Sequence, residues 1–299
     1  MLSTGACLLL VSSGCATIRR LHPHESHIGE SRQLTQQAQL AIHHERWDAA
    51  EAHLLDAIER NPHDDSARSC LADVYWKRGA NRAAIEQLTK AIELSGRKEP
   101  AALTKLGRME LVEGDVNAAL RHASEALDGD RTCADAWLLR GLVRRRQGDN
   151  DAALASFFRS LSLRKDNPRT RIEIAEIYRN RGQPRRALAI LDAAAEAGQP
   201  ACPFQPKIGF LRGLVLRELD RPRDAATALA KARDDGHSGP ELLFQLADAH
   251  FAAGNLVQAR STAEEALAYS MPLQQPSVET LLQRIDVARQ EAAAGRSWR

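Results

Sequence analysis

Apolar residues recur along this chain at the three- and four-residue spacing of helices. Leu71, Val74 and Tyr75 form one such group, and Ile172, Ile174, Ile177 and Tyr178 another. Polar residues fill the intervening positions. No segment sustains the one-in-two alternation of a half-buried strand, so the pattern predicts helices throughout. A final stripe runs Val278, Leu281, Leu282, Ile285, Ala288, with Gln283, Arg284, Asp286, Arg289 and Gln290 largely on the other side. Ser277 can cap the start of that helix, and residues 277–299 are expected to form a capping helix and tail.

A second pattern, of small residues, overlies the first. A Gly or Ala is followed seven residues later by Gly, five later by Ala and seven later by Ala. Ala72, Gly79, Ala84 and Ala91 fit, as do Gly107, Gly114, Ala119 and Ala126, and Ala175, Gly182, Ala187 and Ala194. Gly141, Gly148 and Ala153 follow the rule with Ser160 in the last slot. Ala247, Gly254, Ala259 and Ala266 complete it, while Ala38, Ala50 and Ala57 carry Glu45, and Gly213, Ala225 and Ala232 carry Asp220, in the turn slot. Small residues at these places let two antiparallel helices approach closely. A glycine between them can end the first helix in the left-handed conformation. Trp47, Leu54, Tyr75, Leu88, Phe157 and Leu191 supply large residues in phase with the small ones, and Pro62 closes the first unit.

Repetition of these positions at ~34 residues resembles the tetratricopeptide repeat family. The resemblance implies an all-α, right-handed superhelical solenoid of about seven helix pairs. Units are expected near 31–64, 65–98, 100–133, 134–167, 168–201, 206–239 and 240–273, with a small insertion around Pro200 to Pro206. No unit can bury its apolar face alone, and stacked neighbours create a continuous core. In this family ligands commonly lie against the first helix of each unit. Carried over, the groove would include Trp76, Arg108, Leu138, Arg145, Arg179, Phe210, Arg217, Phe244 and Phe251.

The N-terminus carries a different signal. An apolar run over Leu8 to Val11 precedes Ser12, Ser13, Gly14 and Cys15. A short apolar run before small residues reads as an export signal rather than as part of the fold. The segment from Leu10 to Ala16 resembles a bacterial lipobox, although Ser12 stands where that motif prefers Leu and Met1 to Thr4 carries no Lys or Arg. The resemblance implies a signal peptide over 1–14, acylation of Cys15 and a flexible tether over 15–30. Ala16, where an inner-membrane retention signal would place Asp, implies the periplasmic side of the outer membrane. Lipobox plus repeats is similar in layout to the pilotin lipoproteins of type IV pilus assembly. A cytosolic repeat scaffold without lipidation is the alternative reading.

Composition narrows function. Aromatics are only 4%, too few for base-stacking platforms, and a net charge of +2 gives no global basic footprint, so nucleic acid is not an expected partner. Charge is uneven, however: residues 134–201 hold 13 Arg and Lys against 8 Asp and Glu. A basic middle beside Phe210, Phe244 and Phe251 could hold an extended segment with acidic and apolar side chains. Those phenylalanines also motivate an accessory role in binding glycan or peptidoglycan for an enzyme. Phosphate loops, nucleophile elbows and HExxH motifs are absent, so the chain is read as no enzyme, with no cofactor and no small-molecule substrate. No Cys or acidic ligand set is arranged around His22, His24 and His27, and Cys70, Cys133 and Cys202 have no CxxC spacing, so no metal is expected either. The resulting expectation is a scaffold that binds a protein or peptide partner, touching the membrane only through its lipid.

Overall fold

A computed structural model describes residues 23–96, 99–196, 202–272 and 275–295. The expected signal segment 1–14 and Cys15 lie outside them. Fifteen helices account for the described residues. They are α1 (Pro23–His43), α2 (Trp47–Arg60), α3 (Asp65–Lys77), α4 (Asn81–Ser95), α5 (Pro100–Glu113), α6 (Val116–Gly129), α7 (Ala134–Arg146), α8 (Asn150–Leu163), α9 (Pro168–Asn180), α10 (Pro184–Glu196), α11 (Gln205–Glu218), α12 (Pro222–Asp234), α13 (Pro240–Ala252), α14 (Leu256–Tyr269) and α15 (Gln275–Ala293). Seven pairs and a final helix reproduce the expected architecture. The chain divides into two compact units, which meet in sequence at Leu139 and Arg140.

Two boundaries differ from expectation. The tether was expected to reach residue 30, yet α1 begins at Pro23. Ser31 is fully buried, and its hydroxyl donates to the Ala57 carbonyl at 3.0 Å and to Asp64 Oδ2 at 2.5 Å. Those bonds hold α1 against α2 and the start of α3, so the helix continues upstream of its last buried anchor. The final helix begins at Gln275, two residues before Ser277, with Pro276 in its first turn. Proline suits that place because its missing N–H would lack an intrahelical acceptor anyway. Val278, Leu281, Ile285 and Ala288 are buried as the stripe predicts.

Four of the helix starts carry side-chain caps. Asp64, Asp115, Asp149 and Asn167 each accept from the backbone N–H three residues on, at 2.8 to 3.2 Å. Each satisfies one of the otherwise unpaired donors of a first turn. The turns inside the pairs are left-handed, with φ of 78° at Gly79, 83° at Gly148 and 82° at Gly254. Glu45 and Asp220, the two departures from the glycine rule, adopt the same conformation at φ 56°.

The core follows a size rule. Sixteen residues after each small residue of a first helix stands its opposite on the second: Leu54, Leu88, Phe157, Leu191 and Leu229, all fully buried. A Cβ on Gly141 would overlap the Phe157 ring, and one on Gly213 would overlap Leu229. The opposite residue is only Ala263 in the seventh pair and only Ala123 in the third. There Leu139 of α7 fills the space, within 2.6 Å of where a Gly107 Cβ would lie. The volume missing inside one pair is thus supplied by the next, which ties neighbouring repeats into one core.

Candidate functional site

The first helices of the pairs carry the expected groove positions, and the two units show different surfaces there. In the N-terminal unit Trp76 is half-buried and packs against the cluster of Ala72, Leu88, Leu106 and Met109. Arg108 is half-exposed on α5. Between them Lys105 Nζ lies 2.6 Å from Asp73 Oδ1, linking α5 to α3. Two clefts lie at the starts of these helices. One, of about 600 Å³, is lined by Arg32, Gln36 and Gln39 of α1 and by Asn61 and His63. The other, of about 620 Å³, is lined by Ser69, Ile92, Ser95 and Glu99. Asp65 and Ser66 line both, so they form one polar trough across α1, α3 and the second helix α4, with Ala102 of α5 also in the lining.

Leu138 does not belong to any groove. It is 2% exposed, one of the core residues of α7. Phe251 is likewise only 9% exposed, packed with Ala247, Ala259, Ala263, Leu281 and Ile285, while the Arg284 guanidinium lies 4.9 Å from its ring centroid. Phe244 packs partly buried against the same helices and beside Leu243, Ala266 and Val278. Phe210 leans on Leu229 and its neighbours and stacks on His237 at 4.5 Å between centroids. The three phenylalanines are therefore packing residues, not an exposed aromatic platform.

The arginines of the C-terminal unit at expected groove positions are already engaged. Arg145 forks between Glu173 and Glu176 of α9, at 2.7 Å to Glu176 Oε2. Lys207 of α11 reaches the other oxygen of Glu176 at 3.1 Å. Arg179 lies 3.5 Å from Glu218, and Arg217 bonds Asp248 and Gln245 of α13. A ladder of cations and carboxylates thus runs along α7, α9, α11 and α13. Burial disfavours the charge on Arg145, but Glu176 and Glu173 outweigh it and raise its pKa. Burial likewise opposes ionisation of Glu176, and its bonds to Arg145 and Lys207 overcome this and lower its pKa. The excess of basic residues in sequence is therefore not free charge at these positions. Glu173 and Glu218 are the ion-pair partners that sequence reasoning missed; Glu176 and Asp248 were among the positions the family resemblance implies, but not as partners of the arginines. Arg145 with Glu176 and Arg217 with Asp248 both stand 31 residues apart, a spacing that could have revealed them.

Chemistry beyond binding finds little support. Among the described residues no three His, Cys, Asp or Glu side chains are placed to hold a metal. Burial pushes the Cys70 thiol up, which disfavours the reactive thiolate. No described helix is long and apolar enough to cross a membrane.

Comparison with known families agrees with the geometry. Two tetratricopeptide repeat profiles match, one over residues 35–102, 71–130, 104–168 and 210–272 and one over 144–202. The chain belongs to the tetratricopeptide repeat family. Comparison with curated proteins gives no match. Among solved structures, a tetratricopeptide repeat protein from Parabacteroides merdae aligns with a TM-score of 0.61 at 16% identity, covering 86% of this chain and 99% of that one. The Pseudomonas aeruginosa protein pilF aligns at 0.59 and 18% identity, over 71% and 94% of the two chains. PilW, described as a widely conserved type IV pilus biogenesis factor, aligns at 0.60 and 20% identity, over 68% and 92%. At these identities the likeness concerns the fold. Tetratricopeptide repeats bind protein partners, and the chain is a repeat scaffold of that kind.

Proposed function

We propose that this chain is a non-catalytic scaffold that holds a partner protein at the bacterial envelope, anchored through a lipid on Cys15 at the periplasmic face of the outer membrane. Repeats matched over residues 35–202 and 210–272 carry the proposal, because repeats of this family bind protein partners. The lipobox-like segment around Cys15 supports the anchor, and the fold shared with pilF and PilW supports a place in envelope or pilus assembly. An anchor raises the local concentration of whatever the repeats hold.

In this reading the partner lies along the first helices of the pairs, over Trp76, Arg108 and the polar trough that α1 and α3 form with α4. In the C-terminal unit an acidic partner would have to compete with Glu176 and Asp248 for Arg145 and Arg217. Packing of the phenylalanines leaves the glycan-binding reading without its aromatic platform.

Expression of the full chain and of Cys15→Ala in a Gram-negative host tests the anchor. Membrane association and an added lipid mass, both absent in the variant, are expected. A soluble, unmodified wild-type chain would refute the anchor and leave a cytosolic scaffold. In-cell cross-linking with a photoreactive residue at position 66 or 108 tests the groove. Adducts should form there and vanish in Ser66→Trp. Adducts only from positions on the second helices would refute the groove.

A further inference from the structure

A separate cleft lies in the C-terminal unit, away from the ladder. It has a volume of about 680 Å³ and is lined by Arg223, Ala226, Thr227, Ala230, Lys231 and Asp234 of α12, His250 near the end of α13, and Asn255 before α14. On α12 the residues Arg223, Thr227 and Lys231 recur every four positions and so share one face. Arg223 and Lys231 are exposed, and neither is within ion-pairing distance of a described carboxylate. This sets them apart from Arg145, Arg179 and Arg217, each of which has a carboxylate.

His250 lines this cleft, and its Nδ1 is buried from water with no hydrogen-bond partner among the described residues. A buried polar atom without a partner is costly, and a site that leaves one is poised for a ligand that supplies it. Asn255 precedes α14 without its side chain capping that helix, so its amide is available as well. Thr227 spends its proton on the Arg223 carbonyl at 3.0 Å and can only accept. Asp234 is the one carboxylate of the lining, and Arg233 stands 4.0 Å from it. Ala226 and Ala230 are small, so the cleft floor admits a backbone rather than a large side chain.

We propose that this cleft is a second docking site, which takes an extended acidic segment of a partner protein. Eight residues of helix separate Arg223 from Lys231, a rise of ~12 Å. An extended chain covers ~12 Å in about four residues at ~3.3 Å each. Two carboxylates four residues apart therefore match the two cations, and the peptide groups between them meet His250 and Asn255. The array would then hold two partners, or two parts of one, through different faces.

The test uses the full chain and a synthetic nonapeptide of Gly and Ser with two Glu four residues apart, titrated at low ionic strength. Saturable binding is expected, with the His250 ring signals moving in step. Binding should weaken about tenfold or more in Arg223→Glu/Lys231→Glu, because attraction becomes repulsion at both ends. Both residues are exposed, so the variant should keep its thermal midpoint, which is measured alongside. His250→Phe should weaken binding and leave the salt dependence in place. Equal affinity for a peptide with Gln in place of both Glu would overturn the proposal. So would unchanged affinity in the double reversal, or equal displacement by millimolar inorganic phosphate, which would mark a general anion site.

Discussion

Glu45 and Asp220 offer the cleanest test of how sequence sets the turns of this fold. Both stand where five other pairs carry glycine, and both have φ of 56°. A Cβ in the left-handed region costs roughly 1–2 kcal/mol, less for Asp, whose short side chain tolerates it. Replacement by glycine removes that strain but frees the unfolded chain, at a cost of about 0.5–1 kcal/mol. The difference predicts that Glu45→Gly stabilises by ~0.5–1 kcal/mol and that Asp220→Gly is neutral or gains ~0.5 kcal/mol. Neither side chain is buried or makes a hydrogen bond or ion pair in the structure, so no contact is lost.

Urea unfolding monitored by far-ultraviolet circular dichroism measures the effect. Glu45→Ala is the control: it discards the same carboxylate but keeps the Cβ, so it should leave stability unchanged. Repeat arrays can unfold in stages, so the comparison is made on the transition of the N-terminal unit. A gain in Glu45→Ala equal to that in Glu45→Gly would refute the reasoning, because charge rather than backbone strain would then be the cause. So would destabilisation by both glycine variants. In the reverse direction, Gly148→Ala should cost about 0.5–1 kcal/mol by the same difference, although a Cβ there meets no neighbour and the whole penalty is conformational.

Other outcomes follow from packing and charge. Gly141→Ala should destabilise by about 1–3 kcal/mol through overlap with Phe157, and Phe157→Leu in the same chain should recover part of it in a double-mutant cycle. Phe251→Ala should cost ~3–5 kcal/mol in thermal or urea unfolding, the signature of a core residue rather than a contact surface. Glu176 has its pKa lowered in the fold, so its contribution is present above the ordinary carboxylate value of 4.5 and is lost as pH falls through the folded value. Glu176→Gln should therefore flatten the acid side of the stability–pH curve. His237 and His250 have pKa values lowered by burial and by Lys207 and Arg233 respectively. Their contribution is full above the ordinary imidazole value of 6.5 and declines as pH drops below it, which nuclear magnetic resonance titration of the two rings would follow.

The helix pairs were legible because their requirements are local. Gly79 must be left-handed, and Gly141 must be small because Phe157 is large. Both demands fall within one repeat and leave a residue type behind. The groove was harder to read, because facing inward and facing a neighbouring helix differ by a small rotation about the helix axis. Leu138 and Arg145 stand two turns apart on α7, yet the first is buried and only the second is partly exposed and meets the carboxylates of α9. Phe251 stands in the same register as Arg145, Arg179 and Arg217, but the last helix of the array covers it. The last pair thus takes a core residue where the three pairs before it take an arginine. The pairing of the arginines was hidden for another reason. Arg145 finds Glu176 in the next repeat, so the signal lies in a separation close to one repeat and not in any local motif.

That ladder changes what the scaffold can select. A free arginine stripe would attract any acidic chain and release it in salt. A stripe whose charges are already met by Glu173, Glu176, Glu218 and Asp248 presents alternating partial charge, and a ligand gains there only by matching both signs or by displacing one partner. Displacement leaves a half-buried carboxylate unpaired, which is costly. The C-terminal inner surface should therefore discriminate by pattern rather than by net charge, with affinity that changes little between low and physiological salt. Arg223 and Lys231, with no carboxylate in reach, should show the opposite behaviour. Salt dependence measured separately for the two faces would tell them apart: a steep slope on the ladder face would mean that its ion pairs open readily and that the arginines act as free charges after all.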